Sequence, residues 1–195
     1  MTTEPSAEAR WRVAQLGLAE ARRAAPELSA VLIDCVEGGA SVSFMAPLAV
    51  ETAMAFWEGV ADGVGRGERL LLVARSEDGA LAGTVQVILA QPENQPHRAD
   101  VAKLLVHRRA RRTGAGEVLM RAAEDAARAA GKRLLVLDTA SDTARRLYER
   151  VGWQLVGRIP DYALNPDGTP CDTWYYYKAL AAGEARAASA LSHQA

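Results

Sequence analysis

The chain has 195 residues, 49% of them apolar and 24% charged, which is ordinary for one globular domain with a core of useful size. A formal net charge of −1 excludes nucleic-acid binding driven by bulk positive charge, so only local clusters of charge need a reading. Cys35 and Cys171 lie in unrelated contexts without metal-ligand spacing, and no apolar run approaches the ~20 residues that cross a bilayer, so no disulfide framework, metal site or membrane partner is expected.

The opening MTTEPSAEAR carries two glutamates and a proline where a secretion signal needs a basic start and an apolar run, which predicts a cytoplasmic protein. Arg10 to Leu16 alternates as a short strand does. A helix is expected from Leu18, with Leu28, Val31, Leu32 and Cys35 at helical spacing. Pro26 inside it implies either a kink or the meeting of two helices. Gly38 and Gly39 end it and leave residues 38–45 as a loop. Leu48 to Val64 reads as a second helix with Met54, Phe56, Trp57 and Val60 on its apolar side.

Two apolar runs follow, Arg69 to Arg75 and Leu81 to Ala90, joined by Ser76-Glu77-Asp78-Gly79, a hairpin signal. After a loop marked by Pro92, Asn94 and Pro96 comes a central strand, His97 to Val106. Beyond a glycine turn, a helix keeps Val118, Leu119, Ala122, Ala123, Ala126 and Ala127 on one face, with Arg121, Glu124, Asp125 and Arg128 expected in water. Arg133 to Leu137 is a short run, apolar enough to be covered on both faces. Ser141 caps a short helix carrying Ala144, Leu147 and Val151, ended by Gly152. Trp153 to Arg158 and Trp174 to Leu180 are the closing strands, separated by the turn Asn165-Pro166-Asp167-Gly168. The order predicts an α/β (α+β) domain over residues 1–180, a mixed sheet with helices on its faces, followed by an alanine-rich tail at 181–195 outside the core.

The rest is organised around Asp100 to Met120: an apolar strand, a basic turn with two closely spaced glycines, then an amphipathic helix. Such a turn gathers free N–H groups at the positive end of the helix dipole, which suits a phosphate-bearing ligand. A Walker loop would need Gly-Lys-Ser/Thr after its second glycine, where Glu117 and Val118 stand. A dinucleotide fingerprint would need glycine at Leu119 and an earlier place in the chain. Arginines beside a helix N-terminus would oppose the dipole unless an anion lay between them, so Arg108, Arg109, Arg111 and Arg112 read as more than a solvated rim.

Arg111, Gly114 and Gly116 fit the pattern Arg/Gln-x-x-Gly-x-Gly/Ala, and Leu147 to Trp153 fits a later Tyr-x-x-x-Gly-Phe with Trp for Phe. Together they resemble the GNAT superfamily of acetyl-CoA-dependent N-acetyltransferases. Residues 38–45, 98–104 and 137–139, then Asp161-Tyr162 and 165–168, are further similar to its tabtoxin-resistance branch, over Arg10 to Leu180. The resemblance implies the GNAT fold, a mixed and mostly antiparallel central sheet flanked by helices, with acetyl-CoA as co-substrate. It also implies a small-molecule amine or hydroxyl acceptor, an antibiotic or toxin acetylated for self-protection. Leu104, Leu105 and Val106 would then hold the thioester arm, and Arg111, Arg112, Thr113, Gly114, Ala115, Gly116 and Glu117 the pyrophosphate. Arg112 departs from the family, which commonly has glycine there, although its guanidinium can reach a phosphate.

An alkylammonium near pKa ~10 must lose a proton before it attacks a thioester. The resemblance places Asp100 and Asp138 near the reacting carbonyl, which makes them the candidate bases, acting directly or through water, against a plainer reading in which Asp100 pairs with Arg98 or Lys103 and Asp138 caps the next helix. The resemblance puts Tyr148 close to the sulfur, as the candidate donor to the departing thiolate, against a role as packed aromatic. An N–H near Leu105 or Val106 can polarise the carbonyl if the strand is splayed or bulged there. Phe44, Trp57, Tyr162 and Trp174 are candidate pocket walls, and Asp161 and Glu37 would suit a cationic acceptor. Acetylation of a protein N-terminus or lysine, and a non-catalytic acyl-CoA sensor, stay open. So does the oligomeric state, a homodimer included. Nucleic acid is not an expected partner, because no aromatic residues interleave with the arginines.

Overall fold

The computed structural model describes residues 10–180. The expected tail at 181–195 and the segment before Arg10 lie outside the described residues. The elements are β1 (Arg12–Leu16), α1 (Leu18–Glu37), α2 (Val50–Gly65), β2 (Arg69–Arg75), β3 (Leu81–Ile88), β4 (Arg98–Val106), a 3₁₀ turn (Arg108–Ala110), α3 (Ala115–Ala129), β5 (Leu134–Thr139), α4 (Asp142–Arg150), β6 (Gln154–Leu164) and β7 (Pro170–Ala179). No helix among the described residues is long and apolar enough to cross a membrane.

The seven strands form one sheet in the order β1-β2-β3-β4-β5-β7-β6. Every neighbouring pair is antiparallel except β4 and β5, so the architecture is a mixed α/β sheet. Helices α1 and α2 cover one face, where Leu28, Leu32 and Trp57 cluster with Leu71, Val73, Leu81 and Leu105. Helices α3 and α4 cover the other, where Leu119, Met120 and Tyr148 cluster with Val85, Val101, Leu135 and Tyr176. Each face is a separate apolar layer, as expected for a sheet between two helix layers.

Pro26 neither splits nor ends α1, which runs unbroken for 20 residues. Burial of Ala24, Ala25, Leu28 and Leu32 against the sheet outweighs the hydrogen bond that proline forfeits. Strand β5 differs from expectation: Leu135 and Leu137 are buried, but Leu134 and Val136 are only half-buried, so a single face is fully covered. Strand β6 runs past Arg158 to Leu164, carried over a register shift between Ile159 and Ala163 by Asp161 at φ 49°. Glu124, expected in water, is 5% exposed. Its carboxylate accepts hydrogen bonds from Trp153 Nε1 at 3.0 Å and Lys178 Nζ at 2.7 Å, which satisfies the charge inside the protein.

Candidate active site

Strands β4 and β5 pair only from Arg98 opposite Leu134 to Asp100 opposite Val136. Beyond that point β4 continues to Val106 and β5 to Thr139 without pairing, so the sheet opens between them. The opening begins beside a β-bulge. Thr84 faces Leu105 and Gln86 faces Ala102, so Val85 stands against both Lys103 and Leu104, and Lys103 has φ 53°. A bulge reverses the in-out alternation. Val101 therefore packs in the α3 layer while Leu105, four residues on, packs in the α1–α2 layer. Leu105 is 2% exposed, so only its backbone can meet a ligand; Leu104 and Val106 are half-buried.

The chain leaves β4 through the 3₁₀ turn and enters α3 at Gly114, the N-cap, at φ 89°. Arg112 just before it has φ 62°, a left-handed conformation that explains the glycine common at this place in the resembling family. Among the described residues, the N–H groups from Arg112 to Gly116 have no hydrogen-bond acceptor, and they gather at the positive end of α3. This free run is shorter than expected at both ends. The Arg111 N–H donates to the Arg108 carbonyl at 3.3 Å and the Glu117 N–H to the Gly114 carbonyl at 3.0 Å, so neither amide is free. The Glu117 carboxylate binds Arg121 at 2.8 Å and Arg150 at 3.4 Å.

Neighbours fix the turn. Trp11 Nε1 donates to the Thr113 carbonyl at 3.0 Å, Thr113 Oγ1 to the Ala110 carbonyl at 2.6 Å, and Arg111 Nε to the Val106 carbonyl at 3.3 Å. Asp34 on α1 accepts the Arg108 N–H at 2.8 Å and its Nε at 2.9 Å, which ties α1 to the end of β4. Burial pushes the Asp34 carboxyl up, but Arg108, through its N–H and guanidinium, together with His107 holds it below the ordinary range. A Cβ on Gly116 would stand 3.0 Å from Leu147 Cδ2, so the glycine lets α3 and α4 approach closely.

On α4, Tyr148 is buried between the rings of Trp153 and Tyr176, with centroids 6.1 and 5.9 Å away. Burial, reinforced by Asp138 and Tyr176, pushes its hydroxyl well above the ordinary phenol range, so the proton stays on. Among the described residues that hydroxyl has no hydrogen-bond partner.

Asp138, next to last in β5 and opposite Tyr175, is exposed and accepts one hydrogen bond from Thr173 Oγ1 at 3.2 Å. The helix after it is capped by Ser141, whose Oγ accepts from the Ala144 N–H at 3.3 Å, so Asp138 is not a cap. Asp100 lies on the same face by register, Val136 being its pair and Asp138 two residues further on. Arg98 forms an ion pair with Asp100, and Gln91 Nε2 donates to it at 3.1 Å, so its carboxylate already has partners. Tyr175 stands on β7, on the far side of β5 from Asp100, and lies in the field of both aspartates. Its hydroxyl donates to Tyr162 at 2.9 Å, and that bond, burial and the Asp138 charge push it up to about 12.

Of the expected wall residues, Trp57 is 1% exposed and belongs to the core. Trp174 faces α4, with the Arg145 guanidinium 4.3 Å from its ring centroid. Phe44 is half-buried, its ring edge-on to Phe56 with centroids 5.3 Å apart, and Tyr162 is exposed. No cluster of metal-ligating side chains occurs among the described residues.

The sequence model of the acetyltransferase (GNAT) family matches residues 43–153, more than half of the chain and all of the region just described except Trp11, Asp34 and strands β6 and β7. The chain belongs to the GNAT acetyltransferase family. An uncharacterized N-acetyltransferase encoded in the hisH–hisA intergenic region of Azospirillum brasilense is 36% identical over 115 residues, 58% of this chain and 66% of the relative. The chain thus spans about two thirds of the length of that curated relative. An N-acetyltransferase from Staphylococcus aureus Mu50 shares the GNAT fold at TM-score 0.71 and 17% identity, over 87% of this chain and 98% of the other. A phosphinothricin acetyltransferase from Sinorhizobium meliloti, solved in complex with AcCoA, superposes at TM-score 0.71 and 20% identity, over 90% and 91%.

In this GNAT chain, sequence reasoning did not find that Trp11 holds the glycine turn, that Tyr175 stands opposite Asp138 or that Lys103 is the bulge of β4. Tyr175 was legible in principle: in a run of three tyrosines on a strand the first and third share a face, and here that face carries Asp138. Trp11 gave no such signal, because its partner lies 102 residues away.

Proposed function

We propose that the chain transfers the acetyl group of acetyl-CoA to an amine, or a hydroxyl, of a small molecule such as an antibiotic or toxin. The observation that carries this reading is the run of free N–H groups from Arg112 to Gly116 at the mouth of the β4–β5 opening. A diphosphate on those amides leaves the pantetheine arm to extend along the unpaired end of β4, where Leu104 to Val106 present backbone to it. Family membership and the AcCoA bound by the S. meliloti neighbour support acetyl-CoA as that ligand.

In the reaction the acceptor nitrogen attacks the thioester carbonyl carbon. An N–C bond forms, the C–S bond breaks and the electron pair leaves on sulfur. The nitrogen's proton passes to Asp138, directly or through water. We place Asp138 ahead of Asp100 because Arg98 and Gln91 already occupy Asp100, which leaves Asp100 to orient the face. Tyr148 donates its hydrogen bond to the departing sulfur, a role suited to a phenol that burial keeps protonated. The two unpaired thiols, Cys35 and Cys171, support a cytoplasmic setting.

The test is thiol release from acetyl-CoA over a panel of amine antibiotics and amino-acid-like toxins, with calorimetry of coenzyme A binding alongside. Amine-dependent thiol release is the expected result. Coenzyme A binding without turnover on any amine would make the protein a sensor, and no binding would overturn the reading.

A further inference from the structure

The chain holds twenty arginines and only three lysines, Lys103, Lys132 and Lys178. Two of the three ammonium groups each donate to two acceptors. Lys132 Nζ donates to the carbonyls of Leu89 at 3.0 Å and Pro96 at 2.8 Å, and Lys178 Nζ to Glu124 at 2.7 Å and the Val151 carbonyl at 2.6 Å. Lys103 is supplied differently. Its Nζ meets one neutral acceptor, Ser43 Oγ at 2.9 Å, and lies 6.0 Å from the Phe56 ring centroid. No carboxylate among the described residues forms a salt bridge with it, which leaves up to two of three N–H donors unspent on a half-buried cation.

Its position is unusual for a lysine. Lys103 is the bulge residue of β4, held at φ 53°, at the point where β4 and β5 part. Loop residue Ser43 and α2 residue Phe56 flank its head, and Asp138 acts on it through the opening. Burial pulls the ammonium below the ordinary lysine range, and Asp138 opposes that pull.

We propose that Lys103 is the recognition residue for a carboxylate on the acceptor, so that the substrate class is an amino acid or amino-acid-like zwitterion. Its ammonium is presented to Asp138 while its acid group takes the spare donors of Lys103. A compact cation at the fork of the sheet and an aspartate at the end of the neighbouring strand form a dipolar pair matching such a molecule. A polycationic acceptor meets the same lysine as a like charge. This inference rests on the acetyltransferase reading for the location of the acceptor.

The experiment measures kcat/KM for a panel of L-amino acids against their α-carboxamides, in wild type and Lys103→Met. The carboxamide amine is the more readily deprotonated of each pair, so a preference for the acid runs against intrinsic reactivity. Wild type is expected to favour the acids by about tenfold or more, the value of a charge-assisted hydrogen bond, with the preference lost in the variant through KM. A preference that survives in Lys103→Met, or its absence in wild type, overturns the proposal.

A second reading does not need turnover. In protein carrying lysine labelled at Cε, an amino acid is expected to shift the Lys103 resonance, assigned by Lys103→Arg, and to leave Lys132 and Lys178 unmoved. The carboxamide is expected to shift none. If no panel member shifts Lys103 the proposal falls. If the acids shift it while no amine is acetylated, recognition stands and the transferase reading falls.

Discussion

Gly83 of β3 lies against the backbone of Leu105 in β4, so closely that a Cβ on the glycine would stand 2.6 Å from the Leu105 carbonyl oxygen. A backbone atom cannot swing aside as a side-chain end can, so Gly83→Ala must push the end of β4 outward. The substitution is expected to cost about 1–3 kcal/mol, read by chemical denaturation, as overpacking in a filled interior does. It should also weaken coenzyme A binding if the free N–H groups from Arg112 to Gly116 hold the diphosphate, since the displaced residues lead into that turn. Unchanged stability together with unchanged binding would refute this.

Arg112→Gly separates conformation from charge. The arginine occupies a left-handed conformation that costs a side-chain-bearing residue about 1–2 kcal/mol, and glycine's freer unfolded chain returns part of that. Stability is expected to stay level or rise by up to about 1 kcal/mol. Coenzyme A affinity should fall roughly fivefold with the lost phosphate contact, by calorimetry at low salt. A variant that binds coenzyme A as tightly as wild type would assign Arg112 to the surface alone.

Tyr148→Phe removes a hydroxyl with no partner among the described residues and keeps the ring between Trp153 and Tyr176. Thermal stability and coenzyme A affinity should therefore change little. If the hydroxyl serves the leaving sulfur, kcat should drop about 100-fold, the usual contribution of a placed proton donor. Wild-type turnover in the variant would leave Tyr148 as a packing residue.

Where fold and site were legible, a local rule governed. The helix-start glycines, the hairpin at Asp78-Gly79 and the apolar face of α3 all depend on neighbours in the chain, and Ser141 caps α4 as its sequence says. Long-range partnerships decided what was missed. Glu124 looks like a surface acid on its own helix and is buried only because Trp153 and Lys178 arrive from elsewhere. Pro26 looks like a break until α1 is pressed on the sheet. The place of the bulge at Lys103 is a property of how β3 and β4 pair, which no pattern within β4 alone discloses.

Glu124→Ala tests one of those partnerships. The side chains of Glu124 and Lys178 are 7% and 19% exposed, so truncation leaves the Trp153 indole N–H without its acceptor and a mostly buried ammonium with the Val151 carbonyl but no counter-charge. Breaking a buried pair from one side typically costs about 3–5 kcal/mol. A loss of that size in urea denaturation is expected, with Tyr148 loosened as the Trp153 ring beside it shifts. A loss below about 1 kcal/mol, the value of a surface pair, would show that water reaches the site.

Asp34 gives stability a dependence on pH. Its carboxyl is held below the ordinary range in the folded chain by the Arg108 N–H and guanidinium and by His107, against the opposing effect of burial. The folded state thus binds the proton less readily than the unfolded chain, whose aspartates titrate near pKa ~3.9. The stabilisation is complete above that value and is lost as pH falls through the lower folded one. Asp34→Asn should be less stable than wild type at neutral pH, and the gap should close as pH falls through the lowered folded-state value. Denaturation across a pH series checks it. A gap that stays constant into strong acid would mean that the contribution of Asp34 is shape rather than charge.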